Sequence, residues 1–281
     1  MSRALSSAPS VLTETKLRKL RERLHTRCFG KHVFFSQEVG STNEWARELA
    51  EKGAEEGTVT LAQMQTAGRG RLGREWISPR GGLWFSIILR PNQKAREAAK
   101  LVFVASLAVA EVLHQKHGLK TETKWPNDVL VNGRKICGIL AEMNTKGEYV
   151  NYVILGVGLN ANFSVSDSLP EPLKPDATSI ENELGRRIQL EDLLEALLEK
   201  MEGVYHSFLE TGFHPVLDRW KLYAKFLGKR IVVREQHQSL KGVALDVDVD
   251  GALIMKLEDG TTRRILVGDV AFAERRLHQI W

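Results

Sequence analysis

Apolar positions along this chain of 281 residues follow two periods, and the mixture changes near residue 228. Leu17, Leu20 and Leu24 share the spacing of one helix face, which predicts an amphipathic helix over 13–27. Val33-Phe34-Phe35 reads as a strand, and Ser41-Thr42-Asn43-Glu44 has the Ser-x-x-Glu spacing of a capping box, opening a helix that Gly53 closes. Val59–Gln65 and Leu83–Arg90 predict strands separated by a long Gly/Arg-rich loop. Ala95–His117 predicts the longest helix, stopped at Gly118. Short strands follow at Glu122–Lys124, Val129–Val131 and Lys135–Glu142, the last two joined by the hairpin signal Asn132-Gly133, and then a strand at Tyr149–Gly156. Leu190, Leu193, Leu194, Leu197, Leu198, Met201, Val204, Tyr205 and Phe208 form one apolar helical stripe, and a further helix starts near Pro215 and ends before Gly228.

Beyond Gly228 the period shortens to two. Val243, Leu245, Val247 and Val249 alternate with Ala244, Asp246, Asp248 and Asp250, the pattern of a half-buried strand with the first set inward. Asp250-Gly251 and Asp259-Gly260 are hairpin turns that bracket Ala252–Glu258. The chain therefore divides into a basic, partly helical extension (1–30), a large domain (31–227) and a small all-β module (228–281) expected to close as a barrel. Strands and helices in the large domain do not alternate regularly. An α+β fold with a mixed sheet and flanking helices is expected, rather than a doubly wound parallel one. Residues 1–12, rich in Ser and Ala, are expected to be disordered.

Composition narrows the class. A hydrophobic content of 43% with 27% charged residues is that of a folded globular chain, which excludes a low-complexity or fibrous protein. The longest apolar stretch, Leu101–Leu113, is interrupted by Ser106 and Glu111 and falls short of the ~20 residues of a membrane span. Cys28 and Cys137 are too few for a disulfide framework and no secretory apolar run opens the chain, so a reducing cytoplasm is expected. Residues 1–31 carry eight Lys or Arg against two Glu, so the net charge of +5 is concentrated there. Such an arm suits either a polyanion or a solvated helix face.

Two segments carry chemistry. Gly68-Arg69-Gly70-Arg71-Leu72-Gly73 matches the dinucleotide fingerprint literally, but that fingerprint must open a helix. Here Pro79, Gly81 and Gly82 lead into another strand instead. Arginines interleaved with glycines suggest guanidinium groups meeting an anion, on a loop that like charges keep mobile until the anion arrives. In Lys124-Trp125-Pro126-Asn127-Asp128, Pro126 holds a bend between strands. Asn127 and Asp128 are hard oxygen donors that suit either Mg²⁺ with a nucleotide or plain turn chemistry. Lys135, just past the hairpin, can project back toward the same place.

These segments, together with Ser41-Thr42-Asn43, Gln65, Arg74, Gly133-Arg134-Lys135, Gly138–Glu142 and Gly156-Val157-Gly158-Leu159-Asn160, resemble the biotin–protein ligases in order and spacing over about residues 36–270. The resemblance implies a catalytic domain related to class II aminoacyl-tRNA synthetases, followed by an SH3-like C-terminal barrel. It implies biotin and ATP as substrates with Mg²⁺. Biotinyl-5′-AMP forms first, and biotin then passes to a lysine of a biotin carboxyl carrier protein. By position, Ser41, Thr42, Asn43, Gln65 and the Arg69–Gly70–Arg71 stretch hold biotin. Lys135 bridges its carboxylate and the α-phosphate. Gly68, Arg71, Arg74, Lys124 and Asn127 face ATP, Asn127 and Asp128 place Mg²⁺, and Asn160 contacts the adenylate. Lys135, Arg71, Arg74 and Lys124 are the catalytic set.

Some members of that family carry an N-terminal DNA-binding domain. Only 40 residues precede Ser41, too few for three helices and a wing, so a ligase without sequence-specific DNA binding is expected. Pairing of two copies through sheet edges stays open. A lipoate–protein ligase of the same fold is disfavoured by the Gly/Arg loop, and a non-catalytic biotin-sensing regulator by the presence of Lys135.

Overall fold

The computed structural model describes residues 12–235 and 238–272. The expected disorder of 1–12 falls almost entirely outside them, as does Arg3.

Seven strands form the larger sheet: β1 (Val33–Val39), β2 (Val59–Gln65), β3 (Leu83–Leu89), β4 (Thr121–Lys124), β5 (Asp128–Val131), β6 (Arg134–Lys146) and β7 (Tyr149–Leu159). Their order is β1-β2-β3-β7-β6-β5-β4. The β1–β2 pair is parallel and the other neighbours are antiparallel, so the sheet is mixed, as expected. All seven residues of β3 are buried, because this central strand is covered on both faces. Helix α1 (Glu14–Arg23) precedes the sheet, and α2 (Thr42–Glu51) packs on β2, β3 and β7. Two pieces, α3 (Ala95–Ala98) and α4 (Leu101–His117), stand where one helix was predicted. Bonds from Lys100 N to Glu97 O and from Phe103 N to Lys100 O tighten the turn between them to i→i−3 spacing.

Helix α4 is apolar all round because the sheet lies on one side and helices on the other. It packs on β4, β5 and β6 and also on α7 (Leu190–Thr211) and α8 (His214–Tyr223). Every residue of the predicted stripe on α7 is buried, and at 22 residues α7, not the 95–117 segment, is the longest described helix. Two short helices, α5 (Val165–Ser168) and α6 (Ile180–Leu184), lie between β7 and α7. Leu17 and Leu20 seat α1 on α7, while Lys16 pairs with Glu191 at 2.9 Å and Arg23 with Glu195 at 2.7 Å. Part of the basic arm is thus spent on acidic residues of α7.

The remaining strands, β8 (Arg230–Arg234), β9 (Ser239–Val247), β10 (Leu253–Leu257), β11 (Thr262–Ile265) and β12 (Asp269–Phe272), form one antiparallel sheet in the order β11-β10-β9-β8-β12. The predicted inward set of β9 is corrected here. Ala244 pairs with Met255 but Asp246 pairs with Ile254, so Leu245 is the extra residue of a β-bulge. Ala244 and Val247 are buried, Leu245 and Val249 are exposed, and strict alternation fails at the bulge.

Candidate active site

One pocket gathers residues from seven parts of the chain. They are the start of α2, the end of β2, the 68–76 loop, the β4–β5 turn, the centres of β6 and β7, and the first residues of β12. Of the predicted site residues, Ser41, Thr42, Asn43, Gln65, Arg69, Gly70, Arg71, Arg74, Lys124, Asn127, Asp128 and Lys135 line it. Gly68 and Asn160 do not.

Its neutral end is a fixed hydrogen-bond network. Gln65 Oε1 accepts from the Thr42 amide at 2.8 Å and the Thr42 hydroxyl at 3.1 Å, and Gln65 Nε2 donates to Ser78 Oγ at 2.7 Å. Asn43 Nδ2 donates to Glu142 Oε2 at 2.7 Å, and the buried Ser86 hydroxyl lies 2.8 Å from Thr42 Oγ1 and 2.7 Å from Asn43 Oδ1. Ser41 is the N-cap of α2 by backbone conformation, but its side chain makes no capping bond, contrary to the predicted capping box. Ser41 lines the pocket.

The floor is made by glycines. Gly138 on β6 pairs directly with Gly158 on β7. A Cβ on Gly158 would sit 2.5 Å from Trp76 Nε1, and one on Gly156 would sit 2.0 Å from Asn43 Oδ1. The Gly-Val-Gly stretch therefore has a steric reason: without side chains, Asn43 and Trp76 lie flat on the sheet. Trp76 is a site residue the sequence reading passed over. Its signal was available: it is the one aromatic in a loop otherwise built of Gly, Arg, Leu and Glu. It lines this pocket and the apolar pocket beside it, where Asn160, Leus 169 and 173, and Ala177 lie. Asn160 is tied there by its amide nitrogen, which donates to Thr178 O at 2.9 Å.

The 68–76 segment is a small hairpin. Trp76 N donates to Gly68 O at 2.9 Å, Gly70 N donates to Arg74 O at 2.7 Å, and Leu72 and Gly73 take positive φ at its tip. Gly68 therefore belongs to the hairpin base, where a Cβ would meet Trp76 O at 2.3 Å. No α-helix follows the glycines, so the dinucleotide fingerprint is indeed a decoy. The loop's charge is already answered. Arg71 Nη1 donates to Asp269 Oδ1 at 3.2 Å and to Gly268 O at 3.2 Å, while Arg74 pairs with Asp269 Oδ2. The like-charge repulsion expected within the loop is offset by Asp269, which lies 195 positions from Arg74 and has no local sequence signal.

The cationic end centres on buried Asp128. Lys135 Nζ lies 2.7 Å from its Oδ1 and Lys124 Nζ 3.0 Å from its Oδ2. Burial alone would raise this carboxyl, but the two ammonium groups outweigh it and hold it down at about 2. Burial lowers the Arg71 pKa against the pull of Asp269 and Asp128. Guanidinium nevertheless stays charged in proteins. Lys135 reaches the pocket through a bulge in β6. Val129 pairs with Cys137 but Leu130 pairs with Lys135, which skips Ile136 and puts Lys135 on the face shared by Asp128 and Gly138. Its ammonium also sits 5.1 Å from the centre of the Trp76 ring.

Asn127 and Asp128 do not fit a resident Mg²⁺ in this arrangement. Both carboxylate oxygens face ammonium groups, Asn127 Nδ2 donates to Ile139 O at 2.7 Å, and Asn127 Oδ1 faces Arg71. Mg²⁺ commonly travels with the phosphate oxygens of its nucleotide and keeps several waters, which asks less of the protein. Cys137 is buried and its thiol is pushed far up by burial, so it packs and does not react. Among the described residues no helix is long and apolar enough to cross a membrane.

Comparison with known proteins agrees with this geometry. Residues 36–160 match the Biotin/lipoate A/B protein ligase family and residues 226–273 the Biotin protein ligase C terminal domain. The chain is 35% identical to the bifunctional ligase/repressor BirA of Bacillus subtilis, over 95% of this chain and 81% of that protein. It is 37% identical to the biotin–[acetyl-CoA-carboxylase] ligase of Paracoccus denitrificans, over 77% of this chain and 90% of that one. The biotin protein ligase of Aquifex aeolicus in complex with biotin and ATP superposes with a TM-score of 0.73 at 30% identity, covering 86% of this chain and 98% of the other.

Proposed function

The chain belongs to the biotin–protein ligase family, and from that premise we propose how its own residues carry the reaction. It is an ATP-dependent biotin–protein ligase. The biotin carboxylate attacks the α-phosphorus of ATP, biotinyl-5′-AMP forms and pyrophosphate leaves. A carrier lysine amine then attacks the mixed anhydride, an amide forms and AMP leaves. The acceptor is a biotin carboxyl carrier protein, the kind of substrate named by the relatives.

One observation carries the assignment. The same pocket holds neutral donors and acceptors at one end and four cations, Arg71, Arg74, Lys124 and Lys135, at the other. Biotin's ureido group requires the first, and Ser41, Thr42, Asn43, Gln65 and the amides of Arg69 to Arg71 supply it. Bringing a carboxylate against a phosphate requires the second, since two anions meet only where positive charge is concentrated and pre-positioned. Asp128 and Asp269 offset two of the four charges, leaving an excess for the incoming anions. Lys135 stands between this pocket and the apolar one beyond Trp76, so it is placed to bridge carboxylate and α-phosphate while the adenosine end lies toward Leu169, Leu173 and Asn160. Mg²⁺ would enter with ATP and screen phosphate charge.

We divide the chain into an extension (1–30), a catalytic domain (31–227) of class II synthetase-like architecture and an SH3-like module (228–281). The mixed sheet and the single five-stranded antiparallel sheet support that division. Both described cysteines are free, which supports a cytoplasmic setting. We assign no sequence-specific DNA contact, since Lys16 and Arg23 of α1 are paired with α7. The edge strands β1 and β4 are where a second copy could pair. The test is transfer of labelled biotin to a biotin carboxyl carrier domain, with ATP required and lipoate as competitor. Transfer of lipoate in preference to biotin would overturn the reading.

A further inference from the structure

Where residues 24–32 cross α7, three side chains of different chemistry converge away from the ligase pocket. Glu202 and His206 are one helical turn apart on the same face of α7, and Cys28 comes from the loop. One potential ligand atom of each, the Cys28 Sγ, a Glu202 carboxylate oxygen and a His206 ring nitrogen, lie within 4.8 Å of one another. A tetrahedral zinc ion, with bonds of about 2.0–2.3 Å, spaces its ligands about 3.3–3.8 Å apart, so only a slight closure is needed.

Two further observations favour a cation site here. His206 Nε2 is fully buried and has no hydrogen-bond partner, although an imidazole nitrogen in such a place ordinarily finds one. Glu202 is a buried carboxylate whose hydrogen-bond partners are all neutral: the backbone amides of Arg27 at 2.5 Å, Cys28 at 2.7 Å and Phe29 at 2.8 Å, and the Cys28 thiol. Among the described ion pairs none involves Glu202. A carboxylate that only staples the loop by its three amide bonds would explain Glu202, but it leaves the His206 nitrogen unexplained.

We propose that Cys28, Glu202 and His206 form a divalent-metal site for Zn²⁺, with water as the fourth ligand, which ties the 24–32 loop to α7. The donor set selects the ion: one sulfur, one nitrogen and one oxygen suit a borderline-soft cation and not Mg²⁺ or Ca²⁺. Charge also closes, since Zn²⁺ meets one thiolate, one carboxylate and a neutral imidazole. On binding, the Cys28 S–H bond breaks, its proton goes to solvent and the S–Zn bond forms. Cys28 and His206 are only half-buried, so an ion can reach them without unfolding the chain. Because the loop leads from α1 into β1, occupancy would stabilise the attachment of α1 to α7 by mass action.

The experiment uses the full chain, reduced and stripped with a chelator, titrated with Co²⁺ as the probe. Expected are one ion per chain, a thiolate-to-cobalt charge-transfer band, and displacement of that band by Zn²⁺ with release of one proton per chain near neutral pH. Cys28→Ser should abolish the band and His206→Ala should weaken binding more than about tenfold, both with biotin adenylation unchanged. A folded wild-type chain with no such band, or a band that survives Cys28→Ser, overturns the proposal. If a variant does not fold, Zn²⁺ protection of wild-type Cys28 from alkylation, located by mass spectrometry, decides instead, and equal alkylation with and without Zn²⁺ overturns it.

Discussion

The Asp269 carboxylate, on the first residue of β12, accepts a hydrogen bond from Arg71 at 3.2 Å, although 198 positions separate the two. It takes Arg74 on its other oxygen. The C-terminal sheet therefore supplies the internal anion that closes the arginine hairpin. A phosphate arriving in the pocket can exchange with it. Charge-assisted hydrogen bonds of this partly buried kind are worth roughly 1.5–3 kcal/mol. Asp269→Asn should leave the fold intact but open the hairpin. Proteolytic cleavage within 68–76 of the ligand-free protein should become several-fold faster, with protection restored by biotin plus ATP. Equal cleavage rates for variant and wild type would remove Asp269 from this role.

The proposed function sets Lys135 against the reacting anions, and Asp128 holds its ammonium at 2.7 Å. Lys135→Ala should lose most adenylation, on the order of 10²–10³-fold as for the loss of one preorganised donor to a transition-state charge. Its melting curve should remain cooperative. Pyrophosphate release from biotin and MgATP measures this, and near-wild-type rates would contradict it.

Asp128 carries a pH signature. Its carboxyl is held at about 2 in the folded chain, below the unfolded value of ~3.9. The linked stability is therefore fully present above pH ~4 and is lost as pH falls from there through about 2. Asp128→Asn strands two partly buried ammonium groups and should cost up to about 3 kcal/mol at neutral pH. Thermal melts should show the gap between wild type and variant narrowing only below pH ~4. A gap that stays constant down to pH 2 would mean that the carboxylate is not what holds the lysines.

The glycine floor gives a steric test. In Gly158→Ala the new Cβ meets Trp76 Nε1 at 2.5 Å, and Trp76 must leave the sheet. We expect a loss of about 1–3 kcal/mol in stability from overpacking, a changed tryptophan emission spectrum, and a higher KM for biotin. An unchanged spectrum together with unchanged KM would show that the ring can shift without consequence.

Much of this protein was legible residue by residue. The apolar pattern located α7, β2 and β3 to within a few residues, and the Asp-Gly turns located β10, because burying one face of a helix or strand imposes a local spacing. Asn132-Gly133 turned β5 into β6 as predicted, both residues adopting the positive φ that such a turn requires. The family resemblance, not residue type alone, grouped Ser41, Thr42 and Gln65 with Arg71, Arg74, Lys124 and Lys135, and one pocket gathers them.

Partners and faces were settled by tertiary structure alone. The bulges at Ile136 and Leu245 each shift a strand by one residue, and alternation in the sequence contains no mark of where a register slips. They decide that Lys135 faces the pocket and that Leu245 faces solvent. Asp128 turned from an expected metal donor into the counter-charge of two lysines because the β4–β5 pairing and the β6 bulge bring all three together. Asp269 could not be foreseen from sequence for the same reason: a carboxylate and a guanidinium attract over a few ångströms, and the chain brings them that close only after two separate sheets have formed and packed.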